Sequence, residues 1–316
     1  MTPATGRQHV LDASEIHQEW NNALPPRLEI EPGDTVTFDT RDAANLYYTP
    51  ASTSADVLGR GPFRGHPLTG PVRVKGARPG DTLVVEILDV RPNAPFGWTA
   101  IRPGRGLLPE ADFDQPFLQI WDVSDGKMAR GPRGVAVPLA PFPGVMGTAL
   151  DEPGGHSTMP PRRNGGNMDI KQLSAGTTLY LPVLVEGALF SVGDGHGAQG
   201  DGEVCVTAVE MQARVTLRFG LDPGKRIPEP WLRTAGPIGV ATHEGPHVAM
   251  TAHGPDLYAS AQQAVRYLID HMVRERGLSR EEAYVVASVA ADLKISEIVD
   301  APNWIVSAFL PERIFG

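Results

Sequence analysis

Cysteine is almost absent. Cys205 is the only one in 316 residues, which excludes an intrachain disulfide and fits a reducing, cytoplasmic setting. Its neighbours in Val204-Cys205-Val206 predict a buried structural thiol rather than a nucleophile. Positive charge is also scarce, with 28 Lys and Arg against 37 Asp and Glu and a net charge of -9. That balance supplies no basic footprint for phosphates and argues against nucleic acid, favouring a small neutral or cationic ligand. No apolar run is long enough to cross a membrane, and the polar first twelve residues lack the apolar core of a signal peptide. Familiar catalytic fingerprints are missing too: there is no Gly-x-Ser-x-Gly elbow and no dinucleotide or phosphate loop.

Glycine and proline, in contrast, are abundant, at 35 and 30 residues. Because they are spread along the chain, they predict many short strands separated by turns. Residues 27–30 and 35–40 read as a hairpin around the turn Glu31-Pro32-Gly33-Asp34. Asp42 falls just past the second strand, where a carboxylate can face a ligand or simply close a turn. The stretch 51–65 reads as a surface loop, and 91–165 as loop-dominated and rich in aromatics. Alternation returns over 204–219, which reads as strand. The period then changes to helical. Asp256 caps a helix over Leu257–Arg276 that Gly277 stops, and Ser279 with Glu282 forms a capping box for a second over 280–293. A strand over 304–310 closes the chain.

The turn Pro-Gly-Asp-Thr at 32–35 recurs at 79–82, with a third version at Ala175-Gly176-Thr177-Thr178. Laying the second copy on the third matches Gly70 with Gly166, Lys75 with Lys171, Gly80 with Gly176 and Thr82 with Thr178. This reads as an internal duplication of a β-unit. Asn167 and Asp169 replace Pro71 and Arg73, so the later copy gains polar groups. The predicted fold class is α+β: β-rich with duplicated β-units, barrel- or sandwich-like, and two helices late in the chain. The units divide as residues 1–130 and 131–316, intimately packed.

The chemistry-bearing stretch is Gly193-Asp194-Gly195-His196-Gly197-Ala198-Gln199-Gly200-Asp201-Gly202-Glu203, read as a glycine-rich loop. Asp194 and His196, two apart, share one face of an extended segment and can supply two ligands to a divalent ion. Glu203, beyond a bend, can serve as a third ligand or as a base that takes a proton from metal-activated water. His66, Asp42 and Asp169 are candidates to complete the ligand shell. The plain alternative is a solvated turn.

Taken in order, several motifs resemble the acetamidase/formamidase family. They are His17-x-x-Trp20, Pro32-Gly33-Asp34-Thr35, His66-x-x-Thr69-Gly70-Pro71, Gly165-Gly166-Asn167-Met168-Asp169, the Gly193–203 string and Asp292-Leu293-Lys294-Ile295-Ser296. The resemblance implies an amidohydrolase that cleaves the C–N bond of short aliphatic amides to carboxylate and ammonia. It also implies a homo-oligomer that holds a divalent metal such as zinc. On that reading Asp194 and His196 hold the ion, with His66 or Asp42 beside them. Glu203 is the base, Asn167 donates to the carbonyl oxygen and Asp169 orients the leaving amine. Two rivals remain: a non-catalytic calcium- or ligand-binding protein using Asp194, Asp201 and Glu203 as oxygen ligands, and, more weakly, a cupin-like metal oxygenase.

Overall fold

The strand Phe190–His196 is the hub of the structure, a computed structural model that describes residues 6–109, 111–236 and 244–316. It is buried along its whole length and pairs antiparallel with Phe142–Gly147, Leu68–Val74 and Glu210–Met211. The backbone is thus extended through His196, where the sequence reads as loop. Its glycines answer to crowding. A Cβ on Gly193 would stand 2.5 Å from the Pro67 carbonyl oxygen, and one on Gly195 2.5 Å from Cβ of Ala213.

This strand belongs to a ten-stranded sheet whose main order is Ala136–Pro138, Met128–Arg130, Phe117–Asp122, Phe96–Ile101, Glu210–Met211, Phe190–His196, Phe142–Gly147, Gly165–Asn167. Five of these strands lie within the segment 91–165, which is therefore not loop-dominated. Prolines and short strands hide the alternation there. A six-stranded sheet orders Gln8–Leu11, Thr35–Thr40, Ala213–Asp222, Thr82–Pro92, Thr178–Pro182, Trp231–Arg233. Both sheets draw strands from either side of residue 130, and neither closes into a barrel. They face each other across a core in which Val36, Phe38, Val85, Leu217 and Phe219 meet Val72, Phe142, Phe190 and Val192. Each such side chain contributes about 1.5–3 kcal/mol when fully buried.

The expected first hairpin does not form. Leu28–Ile30 pairs parallel with Leu68–Val74 in the large sheet, whereas Thr35–Thr40 joins the six-stranded one. The Pro-Gly turn is a corner between sheets, held by Asp34, whose carboxylate accepts from the Arg7 and Glu31 amides. The two later versions also link the sheets: Leu68–Val74 passes to Thr82–Pro92, and Gly165–Asn167 to Thr178–Pro182. Gly33, Gly80 and Gly176 hold φ of 103°, 97° and 93°, which a side chain would strain. The duplicated strands Thr82–Pro92 and Thr178–Pro182 then pair antiparallel with each other.

A third layer combines a three-stranded sheet, ordered His247–Gly254, Trp304–Pro311, Asp292–Glu297, with the two late helices. Asp256 caps Leu257–Arg276 through the Ala259 amide, and Gly277 ends it with φ 65°. The capping box of Ser279 and Glu282 starts Arg280–Ala290. That helix stops three residues earlier than its sequence suggests, because Ala291 turns extended and Asp292 begins a strand. A four-residue helix, Asp56–Gly59, interrupts the expected 51–65 loop. Among the described residues no helix is long and apolar enough to cross a membrane.

Candidate active site

The end of the hub strand brings Asp194 and His196 together, with His196 Nε2 3.4 Å from Asp194 Oδ2. The neighbouring strand supplies Glu210, whose Oε1 also lies 3.4 Å from His196 Nε2. Glu203 Oε1 stands 4.0 Å from the same nitrogen, and Asp169 Oδ1 4.0 Å from Nδ1. His66 approaches from the other side of Asp194, its Nε2 3.7 Å from Oδ2. Asp194 thus sits between two imidazoles.

Holding these side chains requires unusual backbone. Asp169, Asp194 and Glu203 have φ of 48°, 59° and 43°. Non-glycine residues there cost about 1–3 kcal/mol each, a cost that persists at functional sites because surrounding packing fixes it. Gln199 orients the ring of His196: its Oε1 is 2.9 Å from Nδ1, while its Nε2 donates to the Asp169 carbonyl at 2.8 Å. Thr158 Oγ1 accepts from the His66 amide at 2.8 Å and lies 3.1 Å from Nδ1.

Burial opposes a charge on His196, but Glu210 and Asp194 overrule it and hold the imidazolium well above the ordinary histidine range. Burial alone would raise Asp194, yet His196 and His66 keep it below the usual carboxylate range. Burial pushes Glu210 up to about 7, and burial with Asp194 nearby does the same to Asp169. Glu203 is raised well above its ordinary value by burial and then by Asp169. Four carboxylates therefore surround one cationic ring. Asp169 Oδ1, Asp194 Oδ1, His196 Nε2 and Glu210 Oε2 are buried without a hydrogen-bond partner. Crowded carboxyl groups with orphaned ligand atoms, three of them held from ionising by burial and by one another, are the setting that a divalent cation satisfies. Asp194, His196 and Glu210 can hold one, as can Asp169, His196 and Glu203.

A cavity of about 490 Å³ opens over the cluster, lined by His66, Asn167, Asp169, Asp194, Glu203 and Glu210. Asn167 Nδ2 donates to the Met159 carbonyl at 3.0 Å, and its Oδ1 is unpartnered. Asp42 does not line the cavity. Its carboxylate is buried beneath the turn after Thr35–Thr40, accepting from the Ala44 amide at 2.8 Å, and burial raises it. Cys205 is fully buried and its thiol is pushed up to about 11 by desolvation, which makes it inert. His17 packs on Trp20 with ring centroids 6.4 Å apart, and His156, in the short strand His156–Ser157 that pairs with Glu19–Trp20, faces the Glu152 carbonyl.

Sequence reasoning missed Glu210. The available signal was a carboxylate in phase with Val204, Val206 and Ala208 in an alternating run, of which only Glu210–Met211 and the stretch from Ala213 onward form strand. Gln199 stands in the glycine-rich string without an assigned role there, and Thr158 carried no local signal.

The fold is thus a two-sheet sandwich with a buried carboxylate–histidine cluster under a cavity. The family model described as "Acetamidase/Formamidase family" matches residues 5–153 and 151–316. The chain belongs to this family and is an amidohydrolase of that type. It is 28% identical to a formamidase of Methylophilus methylotrophus, over 95% of this chain and 89% of the relative. An acetamidase of Mycolicibacterium smegmatis is 28% identical over 66% of each chain. Among solved structures, a gamma lactamase from Delftia acidovorans superposes with a TM-score of 0.89 at 26% identity, covering 97% of this chain and 93% of that one. An acetamidase from Bacillus halodurans gives 0.68 at 32% identity, over 97% and 98%.

Proposed function

We propose that the protein hydrolyses the C–N bond of short aliphatic amides, using a divalent cation held by Asp194, His196 and Glu210. The observation that carries this is the set of orphaned atoms on those three side chains. The mixed imidazole and carboxylate donors suit zinc, and the oxygen-rich remainder also suits calcium. When bound, such an ion polarises a carbonyl and lowers the pKa of water.

The chain's own groups divide the remaining work. Glu203, raised by burial, accepts the proton of the attacking water and returns it to the leaving nitrogen. Asn167 has one N–H engaged by Met159 and offers the other to the carbonyl oxygen. Asp169, across from Glu203, orients the departing amine. The Thr158 hydroxyl already accepts from the His66 amide, so its proton is available to Nδ1. That leaves His66 Nε2–H facing Asp194, in an orienting role.

Homo-oligomeric assembly belongs to the same reading and is supported by the exposed apolar side chains Ile295, Ile298 and Val299. A cytoplasmic location is supported by the single, buried thiol. Chelator treatment and metal add-back, with ammonia release from formamide and acetamide as readout, tests the function. Activity indifferent to metal removal and to Glu203→Gln would overturn it. A higher melting temperature with calcium and no turnover of any amide would instead support a binding protein. A second reading, a cyclic amide substrate, is favoured by the 0.89 TM-score to the gamma lactamase. Ring opening of 2-pyrrolidinone tests it.

A further inference from the structure

The cavity over the carboxylate cluster has a second chemical character. Arg60, Arg102 and Arg105 line it together with the acidic residues, and Phe63, Tyr48 and Trp98 complete the wall. Arg105 is exposed, and Arg60 and Arg102 are half-buried, so the cationic groups stand towards the mouth and the carboxylates at the bottom. Several arginines elsewhere in this acidic protein are paired, among them Arg27 with Asp12, Arg214 with Asp39, Arg218 with Glu86 and Arg266 with Asp112. Among the described residues none of the three cavity arginines lies within ion-pair distance of a carboxylate. Arg60 gives one N–H to the Ala43 carbonyl and Arg102 one to Gly61, at 2.9 Å for the latter. Most guanidinium donors therefore remain available. The ring of Phe63 lies 5.6 Å from the Arg60 guanidinium and 4.8 Å from the His66 ring, connecting the mouth to the floor.

Three like charges converging on one cavity, none of them in an ion pair, need a reason in a protein of net charge -9. Balancing the acidic floor accounts only for Arg60, which feels Asp42 and Glu210; the floor's ion pairs run to His66 and His196, and Arg102 and Arg105 are left without that role. Size points the same way. A cavity of about 490 Å³ falls in the range that holds drug-sized ligands, roughly 300–1,000 Å³, and far exceeds what a one- or two-carbon amide fills.

We propose that the arginine-lined mouth selects amides that carry a second, anionic group, a carboxylate at the end remote from the scissile bond, over uncharged amides. Arg102 and Arg105 are the specificity-determining residues, with Arg60 between them and the floor. Guanidinium donors match a carboxylate in charge and in fork geometry. The amide end then reaches Asn167, Glu203 and the metal-binding cluster. The global charge alone suggested a neutral or cationic ligand, whereas the local charge at the mouth has the opposite sign.

This inference rests on the amidase reading, so the test separates the two. Initial rates are measured on the metal-loaded protein with succinamate and with its near-isosteric neutral diamide, succinamide, alongside formamide and acetamide. Succinamate is expected to show at least tenfold higher kcat/KM, about 1.4 kcal/mol, carried mainly by KM and shrinking as salt is raised. Arg102→Gln and Arg105→Gln should each cut the succinamate-to-succinamide ratio at least threefold. The exposed Arg105 gives a variant that does not threaten folding. Equal or better use of succinamide, or a ratio that neither variant changes, overturns the proposal while leaving the amidase reading in place. If no amide is turned over, the amidase reading falls. Calorimetric titration then decides the anion claim: heat of binding from succinamate and none from succinamide supports it, and equal or absent binding of both overturns it.

Discussion

A Cβ on Gly144 would stand 2.6 Å from Oδ1 of Asp169. The same atom would lie 2.9 Å from Asp194 Oδ2 and from His196 Cε1, so this glycine keeps open the space in which three site residues meet. Gly144→Ala should fold but displace those groups by a few tenths of an ångström or more. A loss of kcat/KM of about a hundredfold is expected, the scale of small misplacements in a catalytic site. Amide turnover by an alanine variant at the parent rate would show that the cluster is not the working site.

Glu210 and Glu203 should separate binding from chemistry. Glu210→Gln weakens metal retention by at least about tenfold, measured as metal content after dialysis against a weak chelator. Glu203→Gln retains the metal and loses kcat by about 10²- to 10⁴-fold. The reverse pattern would exchange their assignments.

Lys171 is 1% exposed and pairs with Asp292, whose carboxylate also accepts from the Asp201 amide at 2.9 Å. This pair ties the helical layer to the glycine-rich turn just before Glu203. Lys171→Met leaves a buried carboxylate without its cation and should cost about 3–5 kcal/mol in denaturant unfolding. The double variant with Asp292→Leu should recover part of that loss.

Tyr284 fastens the same turn from the helix Arg280–Ala290. Its hydroxyl donates to the Val204 carbonyl and accepts from the Leu108 amide at 3.0 Å. Tyr284→Phe leaves the Leu108 amide unsatisfied, while the Val204 carbonyl keeps the Leu107 N–H at 2.8 Å, and should cost about 1–3 kcal/mol. Thermal melts check the stability, and a fall in kcat larger than the change in KM would show that the turn positions Glu203.

The Asp112–Arg266 ion pair, two-pronged at 3.0 and 2.8 Å, makes stability fall in acid. The hydrogen bond from Arg266 lowers the folded pKa of Asp112 below its ordinary 3.8. The folded carboxyl therefore binds its proton less readily than the unfolded one. Its stabilisation is complete above the ordinary aspartate range and is lost as pH falls through the lowered folded value. Asp112→Asn should reduce the unfolding free energy by about 1 kcal/mol at pH 7, with the gap closing as the pH drops below about 4. A constant gap across that range would contradict this account.

Local signals are legible wherever one residue type answers to one backbone demand. Asp256, Gly277 and the Ser279–Glu282 box fix the helix ends through hydrogen bonds made within four residues. The repeated turns at Gly33, Gly80 and Gly176 are visible for the same reason. The strand partners on either side of each turn are not, because a corner between two sheets and a hairpin use the same residues. Pairing depends on which apolar faces must be buried together, and Ile30, Val36 and Phe38 all face one core between the sheets.

The sequence by itself determined the family, the β-rich class, the late helices and the clustering of Asp194, His196 and Glu203 near one turn. Only the tertiary structure decided which other groups join them, because carboxylates distant in sequence meet only through strand pairing. The register of Glu210 opposite His196 places that glutamate in the cluster, and burial beneath its own turn keeps Asp42 out of it. Likewise, net charge is a sum over the whole chain, while a ligand meets the local field. Arg60, Arg102 and Arg105 line one cavity because the segments that precede Leu68–Val74 and follow Phe96–Ile101 both border it.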